Sequence, residues 1–329
     1  MIAHRDDVAQ ALWYVAAGRA EVREEELAPL SSGAVRVRAL HGALSRGTEA
    51  LVFAGRVPKS EFERMRAPFM GGAFSFPVKY GYSVVGRVES GPTELRYRLV
   101  FVLHPHQTRF DVPAGAAVPL PDGLPPARAV LGANMETALN AVWDAEPKRG
   151  DRVAIVGAGV VGALVGYLCR RTIPDLEVTL IDVNPARAEI ARELSVDFAS
   201  PDAAPTECDV VVHTSATAAG LATALNLARE EAMVLELSWY GAGEVAVPLG
   251  GAFHSRRLRL VSSQVGKVAP SHRASWTHRA RLEAALAYTG DPRLDVLFAP
   301  AVLFKELPAR LPQILAPGSG ILCQRIDYV

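Results

Sequence analysis

The chain has 329 residues, of which 50% are hydrophobic, and its 35 Lys+Arg balance 35 Asp+Glu for a formal net charge of +0. That length exceeds one ordinary core, so two domains are expected. The even charge, with no basic run or acidic tail, argues against nucleic acid and anionic membrane as partners.

No apolar stretch reaches the roughly 18 residues that span a bilayer. Cys169, Cys208 and Cys323 are scattered, without C-x-x-C or metal-type spacing, which fits a reducing, cytoplasmic setting. The start, MIAHRDDVAQALWYVAAG, carries acids early and lacks the order of a secretory signal.

Taken in order, residues 11–15, 34–40, 82–88, 99–103 and 110–112 read as short strands separated by turns, the pattern of a mostly antiparallel β domain. Residues 60–67 are expected to form a short helix inside a long Phe-, Gly- and Pro-rich excursion. The proline-dense stretch 119–126 marks a linker, and residues 127–144 form a helix or helix pair beyond it.

Residues 152–156 are a β-branched run followed at once by Gly157-Ala-Gly159-Val160-Val161-Gly162, a G-x-G-x-x-G turn opening a helix. Val161, Leu164, Val165 and Leu168 share one face of that helix by their i, i+3, i+4, i+7 spacing. Gly157 is assigned to the tight turn, Gly159 to close approach of backbone and pyrophosphate, and Gly162 to close packing of the helix. Free N–H groups at the helix start favour phosphate. A second strand at 178–181 ends on Asp182, 20 residues after Gly162, where a ribose-binding carboxylate belongs. Asp182 would accept from the adenosine ribose and repel the 2′-phosphate of NADP, so NAD is the expected cofactor; the bland alternative is a solvated turn aspartate. Arg187 either offsets that repulsion or is solvated.

Alternation continues with a helix at 185–194, a strand at 209–213, a helix at 218–229 and strands at 233–237 and 258–261, which argues for a doubly wound parallel sheet. Thr214 and Ser215 follow one strand, and Trp239 and Tyr240 follow another. A helix at 276–288 then gives way to proline-broken, strand-like pieces ending at 321–326. The fold class is α/β, a Rossmann doubly wound sheet plus a mostly antiparallel β domain. Its expected divisions are 1–120, 121–266 and a return at 267–329 that completes the first domain.

This order resembles the medium-chain dehydrogenase/reductase superfamily over nearly the whole chain. His41-Gly-Ala-Leu-Ser-Arg-Gly-Thr-Glu49 is similar to its active-site loop, Lys79-Tyr-Gly-Tyr-Ser-Val-Val-Gly86 to its second metal-site segment, and residues 132–143 to its hinge helix. Within it, the S-x-G-T-E string and His104-Pro-His106 most resemble the bacteriochlorophyllide 2-desacetyl-2-hydroxyethyl dehydrogenase-like branch. The resemblance implies a GroES-like first domain and hydride transfer between NAD and a small-molecule secondary alcohol or ketone. The zinc ligands of the alcohol dehydrogenases are replaced by Ser45 or its neighbour, Tyr82-Ser83 and Ala133, and the structural zinc lobe is missing. No metal is therefore expected, because zinc needs about four N, S or carboxylate ligands, or three and a water.

On the same resemblance, Ser45, Thr48, Glu49 and Tyr82 surround the substrate carbonyl, Thr214 and Ser215 pass the nicotinamide ribose, and residues 238–241 and 264–267 meet the nicotinamide end. Each has a bland counterpart: Glu49 as an ion-pair partner of Arg46, Tyr82 as core, Thr214 and Ser215 as a polar turn, Trp239 as an interface residue. His104 and His106, with both rings on one side of an extended segment, are candidates for proton handling, for metal binding with a third ligand that the sequence does not show, or are structural. Glu136 is either a cleft residue or a solvated helix charge. A zinc-free quinone or enone reductase and a non-catalytic nucleotide-binding protein remain as rival functions. A homodimer paired through an edge strand at 258–261 is the expected assembly.

Overall fold

The structure is a computed structural model that describes residues 8–328; the acidic residues within 1–7 and the final residue lie outside that range. Two compact units emerge, the first from Met1–Ala133, Leu286–Gly290 and Phe298–Val329, the second from Asn134–Ala285 and Asp291–Leu297. Residues 267–285, read above with the C-terminal return, lie in the second unit, and residues 121–133 lie in the first.

The first unit carries β1 (Val8–Ala16), β2 (Arg19–Glu26), β3 (Ala34–Leu44), α1 (Arg46–Phe53), β4 (Gly71–Gly72), β5 (Val78–Lys79), β6 (Val84–Ser90), β7 (Leu99–Val102), β8 (Arg109–Pro113), β9 (Val118–Pro119) and α2 (Pro126–Ala129). Next come α3 (Gly132–Ala145), β10 (Arg152–Val156), α4 (Val160–Thr172), β11 (Glu177–Ile181), α5 (Arg187–Glu193), β12 (Asp197–Ala199), β13 (Cys208–His213), α6 (Ala218–Leu227), β14 (Ala228–Glu236), β15 (Arg259–Ser262) and α7 (His278–Tyr288). The return supplies β16 (Phe298–Leu303), α8 (Leu307–Ile314) and β17 (Cys323–Asp327).

In the first unit a four-stranded sheet runs β2-β1-β5-β4, and a seven-stranded sheet runs β16-β17-β3-β6-β7-β9 with β8 on β3. Strand period explains the core: Val35, Val37 and Ala39 of β3 point inward with Val84, Val88, Val100, Phe110 and Val112. The return closes this unit by pairing β17 antiparallel to β3, Gln324 opposite Leu44 and Asp327 opposite His41.

The second unit is a six-stranded sheet in the order β12-β11-β10-β13-β14-β15, parallel throughout. From β10 the chain moves to one side through β11 and β12, then returns to the other side at β13. In such sheets ligands bind beyond the carboxyl ends of the strands where the order reverses. Leu221 and Leu225 of α6 pack on Val156, Ile181, Val211 and Val234, burying one face of the sheet.

Local structure departs from the sequence expectation at several points. Residues 60–67 form no helix beyond a 3₁₀ turn at Lys59–Glu61, since Pro58 and Pro68 leave little room for one. The string 41–49 is a strand end and a helix rather than a loop, because β3 runs to Leu44 and α1 opens at Arg46. Tyr82 precedes β6 instead of beginning it. α6 stops at Leu227, and Arg229 already belongs to β14. Among the described residues no helix is long and apolar enough to cross a membrane.

Candidate functional site

In the first unit, Ser45 is the N-cap residue of α1, and Thr48 and Glu49 lie in that helix's first turn. The Tyr82 hydroxyl hydrogen-bonds the side chains of both Ser45 and Thr48, so three hydroxyls from two segments converge. Burial and the nearby Glu49 charge push the Tyr82 phenol up to about 12, although both hydroxyl bonds oppose the shift. The half-buried ring therefore keeps its proton at neutral pH and acts as a donor rather than a base. It lies perpendicular to the buried Tyr80 ring, 6.0 Å between centroids.

Behind the hydroxyls lies a carboxylate with no exposed surface. Glu49 Oε1 accepts the Ser45 N–H at 2.8 Å, and Oε2 accepts the Tyr14 hydroxyl at 2.8 Å and meets His106 Nε2 at 3.0 Å. A buried carboxylate is tolerated only when donors replace its water, and these three do so. Arg46, the partner considered above for Glu49, donates to the carbonyls of Ile314, Ala316 and Ile321. Ser83 donates to the Val130 carbonyl at 2.5 Å and is occupied there.

The two histidines do not act as a pair. His104 stacks between Phe110, 3.7 Å away, and Phe69, 5.6 Å away, with Nδ1 at 2.9 Å from the Pro105 carbonyl. Burial lowers its pKa to about 3, so it stays neutral. His106 has no exposed surface and joins Glu49 to Tyr328, whose hydroxyl lies 3.4 Å from Nδ1. Both rings are buried, His104 at 4% exposure and His106 at 0%. Gly81 makes the His106 position possible: its φ is +123°, and a Cβ there would stand 2.7 Å from Nε2.

In the second unit, the glycine turn follows β10 and opens α4. Gly157 has φ +108°, and a Cβ would meet the Ser215 amide at 2.7 Å; at Gly162 a Cβ would lie 2.0 Å from the Gly157 carbonyl. At Gly159 a Cβ would meet nothing within 4 Å, and no side chain caps the helix that follows. The half-buried Val160 and Val161 form its first turn. Open space over uncapped amides fits the pyrophosphate of a dinucleotide.

Asp182 completes that geometry from the end of β11. Its Oδ2 accepts the Ala158 N–H and its Oδ1 the Asn184 N–H, both at 2.8 Å. A carboxylate has about four acceptor positions, so capacity remains for a ribose. Arg187 opens α5 and is half-buried. Thr214 donates to the Gly157 carbonyl at 2.6 Å, locking the turn from beneath.

Ser215 belongs to a line of side chains that the sequence reading missed. Its Oγ lies 2.7 Å from His213 Nε2, and His213 Nδ1 lies 2.7 Å from Glu236 Oε2. Tyr240 and the Ser238 amide also donate to Glu236, at 2.9 and 2.7 Å. Burial pushes the Glu236 carboxyl up, but hydrogen bonds from His213 and Ser238 and the His213 charge outweigh it, and the net shift is downward. The available signal was a histidine at a strand end and an acid at the next strand end, which the parallel register sets side by side. Trp239 lies half-buried in the loop after β14.

Glu136 is not solvated: it is buried against Arg281 at 3.0 Å, which also donates to Asn140 and to the carbonyls of Val265 and Lys267. Among the described residues no group of three or more His, Cys, Asp and Glu could hold a metal ion.

No protein-family model and no curated protein matches the sequence. Solved structures do match in fold. L-idonate 5-dehydrogenase from Escherichia coli K-12 MG1655 has a TM-score of 0.78 at 14% identity, covering 98% of both chains. A protein from Sinorhizobium meliloti 1021 described as a zinc-binding dehydrogenase, bound to NADP, gives 0.76 at 18%, covering 98% of this chain and 99% of its own. An alcohol dehydrogenase from Escherichia coli CFT073, complexed with NADH, gives 0.77 at 14%, covering 98% and 100%. The chain thus has the fold of the alcohol dehydrogenase-like enzymes among these neighbours, a Rossmann parallel sheet joined to a GroES-like β unit.

Proposed function

We propose that this chain is a zinc-independent, NAD(H)-linked alcohol dehydrogenase or carbonyl reductase acting on a small-molecule secondary alcohol or ketone. The observation that carries it is the Asp182 carboxylate held 2.8 Å from the Ala158 amide of the glycine turn, beside the uncapped start of α4, which supports its reading as the ribose acceptor. NAD is preferred over NADP because that carboxylate would repel a 2′-phosphate.

When bound, the nicotinamide supplies or takes the hydride. The protein's part is to hold the cofactor at Gly157, Gly159, Val160, Val161, Gly162 and Asp182, with Arg187, Thr214, Ser215 and Trp239 around it, and to steady the substrate oxygen. Tyr82, kept protonated, donates to that oxygen, while Ser45 and Thr48 fix the phenol and pass its proton. Glu49 places negative charge behind them, and His106 and Tyr14 hold Glu49. His104 keeps a stacking role only. Zinc independence is supported by donor chemistry: the positions that resemble the zinc ligands offer the hydroxyls of Ser45, Tyr82 and Ser83 and the methyl of Ala133.

Two copies are expected to pair through β15, and the three buried, free thiols suit a reducing, cytoplasmic setting.

A screen of alcohols and ketones following NADH absorbance in both directions, with and without a chelator, tests this reading. Turnover that survives chelation supports it. Turnover on quinones or enones alone moves the chain to the enone reductases, and cofactor binding without any turnover makes it a nucleotide-binding protein.

A further inference from the structure

At the carboxyl ends of β13 and β14, His213 and Glu236 are direct register partners. From them a single line of hydrogen bonds runs outward: Glu236 Oε2 to His213 Nδ1 at 2.7 Å, His213 Nε2 to Ser215 Oγ at 2.7 Å, and Ser215 Oγ to Thr217 Oγ1 at 3.0 Å. The imidazole is fully buried, whereas Ser215 is half-buried and Thr217 exposed. Ser215 also stands against the glycine turn, close enough that a Cβ on Gly157 would touch its amide at 2.7 Å. A hydroxyl coupled to a buried imidazole thus sits beside the first glycine of the turn.

The surroundings of the ring decide which way that hydroxyl points. Glu236 faces it from β14, and the Ser238 and Tyr240 hydroxyls lie 3.4 Å from Nδ1. Ser215 faces it from the turn before α6, and a Cβ at Gly220 would stand 2.9 Å from Nε2. The partner residue on β10 is the apolar Val156. Among the described residues the charged group hydrogen-bonded to this imidazole is Glu236 alone, and an ionised carboxylate only accepts. Nδ1 therefore carries a proton. In the neutral ring Nε2 is an acceptor, so Ser215 donates to it and presents lone pairs outward. In the doubly protonated ring Nε2–H donates to Oγ, and the Ser215 proton turns outward instead.

We propose that Glu236 and His213 are positioning residues for the cofactor, fixing the Ser215 hydroxyl as the acceptor for a hydroxyl or amide donor of the bound dinucleotide, so that binding is coupled to loss of the second imidazole proton. This rests on the dinucleotide reading above and adds to it a proton linkage that the glycine turn and Asp182 do not supply.

NADH titrations by fluorescence between pH 5.5 and 8.5, on the wild type, His213→Gln and Ser215→Ala, test it. Calorimetry near pH 6.5 in two buffers of different ionisation heat counts the protons released. The wild type should lose affinity by roughly two- to tenfold from the alkaline to the acid end of the titration, the value of one neutral hydrogen bond. Protons should be released on binding. Both variants should bind more weakly at high pH, with no pH dependence and no proton release. A structural role alone would weaken both variants by one factor at every pH and leave the wild-type slope in place, which overturns the proposal. So does a wild type whose affinity ignores pH, a result that needs no variant to fold. If the wild type binds no NADH at any pH, the dinucleotide reading itself fails.

Discussion

Single atoms decide most of the chemistry proposed for this chain. Asp182 already accepts two backbone amides, so Asp182→Ala removes a ribose acceptor and loosens the glycine turn together. Loss of a charged hydrogen bond costs roughly 1.5–3 kcal/mol, and NADH affinity should fall about ten- to a hundredfold, read by fluorescence titration. Tyr82→Phe should instead spare NADH affinity and lower turnover by about 10²–10⁴-fold, the range of a positioned acid; near-normal turnover would make the phenol a packing residue. His104 bears on stability, not catalysis. Its pKa falls from 6.5 to about 3 on burial, so the unfolded chain binds this proton more readily than the folded one. Stability from this group is whole above about pH 6.5 and is lost as pH falls toward 3, at up to about 1.4 kcal/mol per pH unit. His104→Phe keeps the stack on Phe69 and Phe110 and should flatten that part of the curve in urea melts run from pH 7 to 4.

Secondary elements show which features the sequence carried plainly. β10, α4 and β11 were legible because a β-branched run, a glycine turn and a helical period each impose a local pattern. β2 was not, since Arg19–Glu26 is mostly charged and lies half-exposed at a sheet edge. α8 was hidden by Pro308 and Pro312; the first sits at the helix start, where its missing N–H is harmless. At the site, Ser45, Thr48 and Tyr82 do meet, whereas the Glu49–His106–Tyr14 cluster joins side chains of α1, β1 and the segment before β8, 35 and 57 residues apart, which no local pattern encodes. The Arg46 contacts are of the same long-range kind and make a test. Arg46 ties α1 to the end of α8 through the Ile314 and Ala316 carbonyls, where a cation also faces the negative end of the helix. Arg46→Ala should cost about 1.5–3 kcal/mol in denaturant unfolding, the value of a charge-assisted bond. Arg46→Lys should restore little of it, because one ammonium cannot replace a planar fork serving three carbonyls. Full recovery by lysine would show that charge alone matters.

At the scale of the whole molecule, the second unit's sheet is finished on one side and open on the other. β12 ends it with three residues, a short edge that offers little to a neighbouring chain. β15 ends the other side with all four residues exposed, including Leu260 at 37% and Val261 at 40%, and Leu249 is nearby in sequence at 49%. An edge that is both unpaired and apolar is one that soluble proteins normally cover or charge. Arg259 is the one charge on this strand, and it stands at the first position, leaving the rest unguarded. Pairing of β15 with its copy across a two-fold axis would continue the sheet, satisfy the free backbone groups and remove the apolar side chains from water. Sedimentation of the wild type should therefore give a dimer, and Val261→Lys, which sets two like charges together at the centre of the proposed pair, should shift it to monomer at micromolar concentration. Since no site residue lies on β15, the monomer should still bind NADH. A wild type that sediments as a monomer, or a Val261→Lys dimer of unchanged affinity, would place any self-association on another surface.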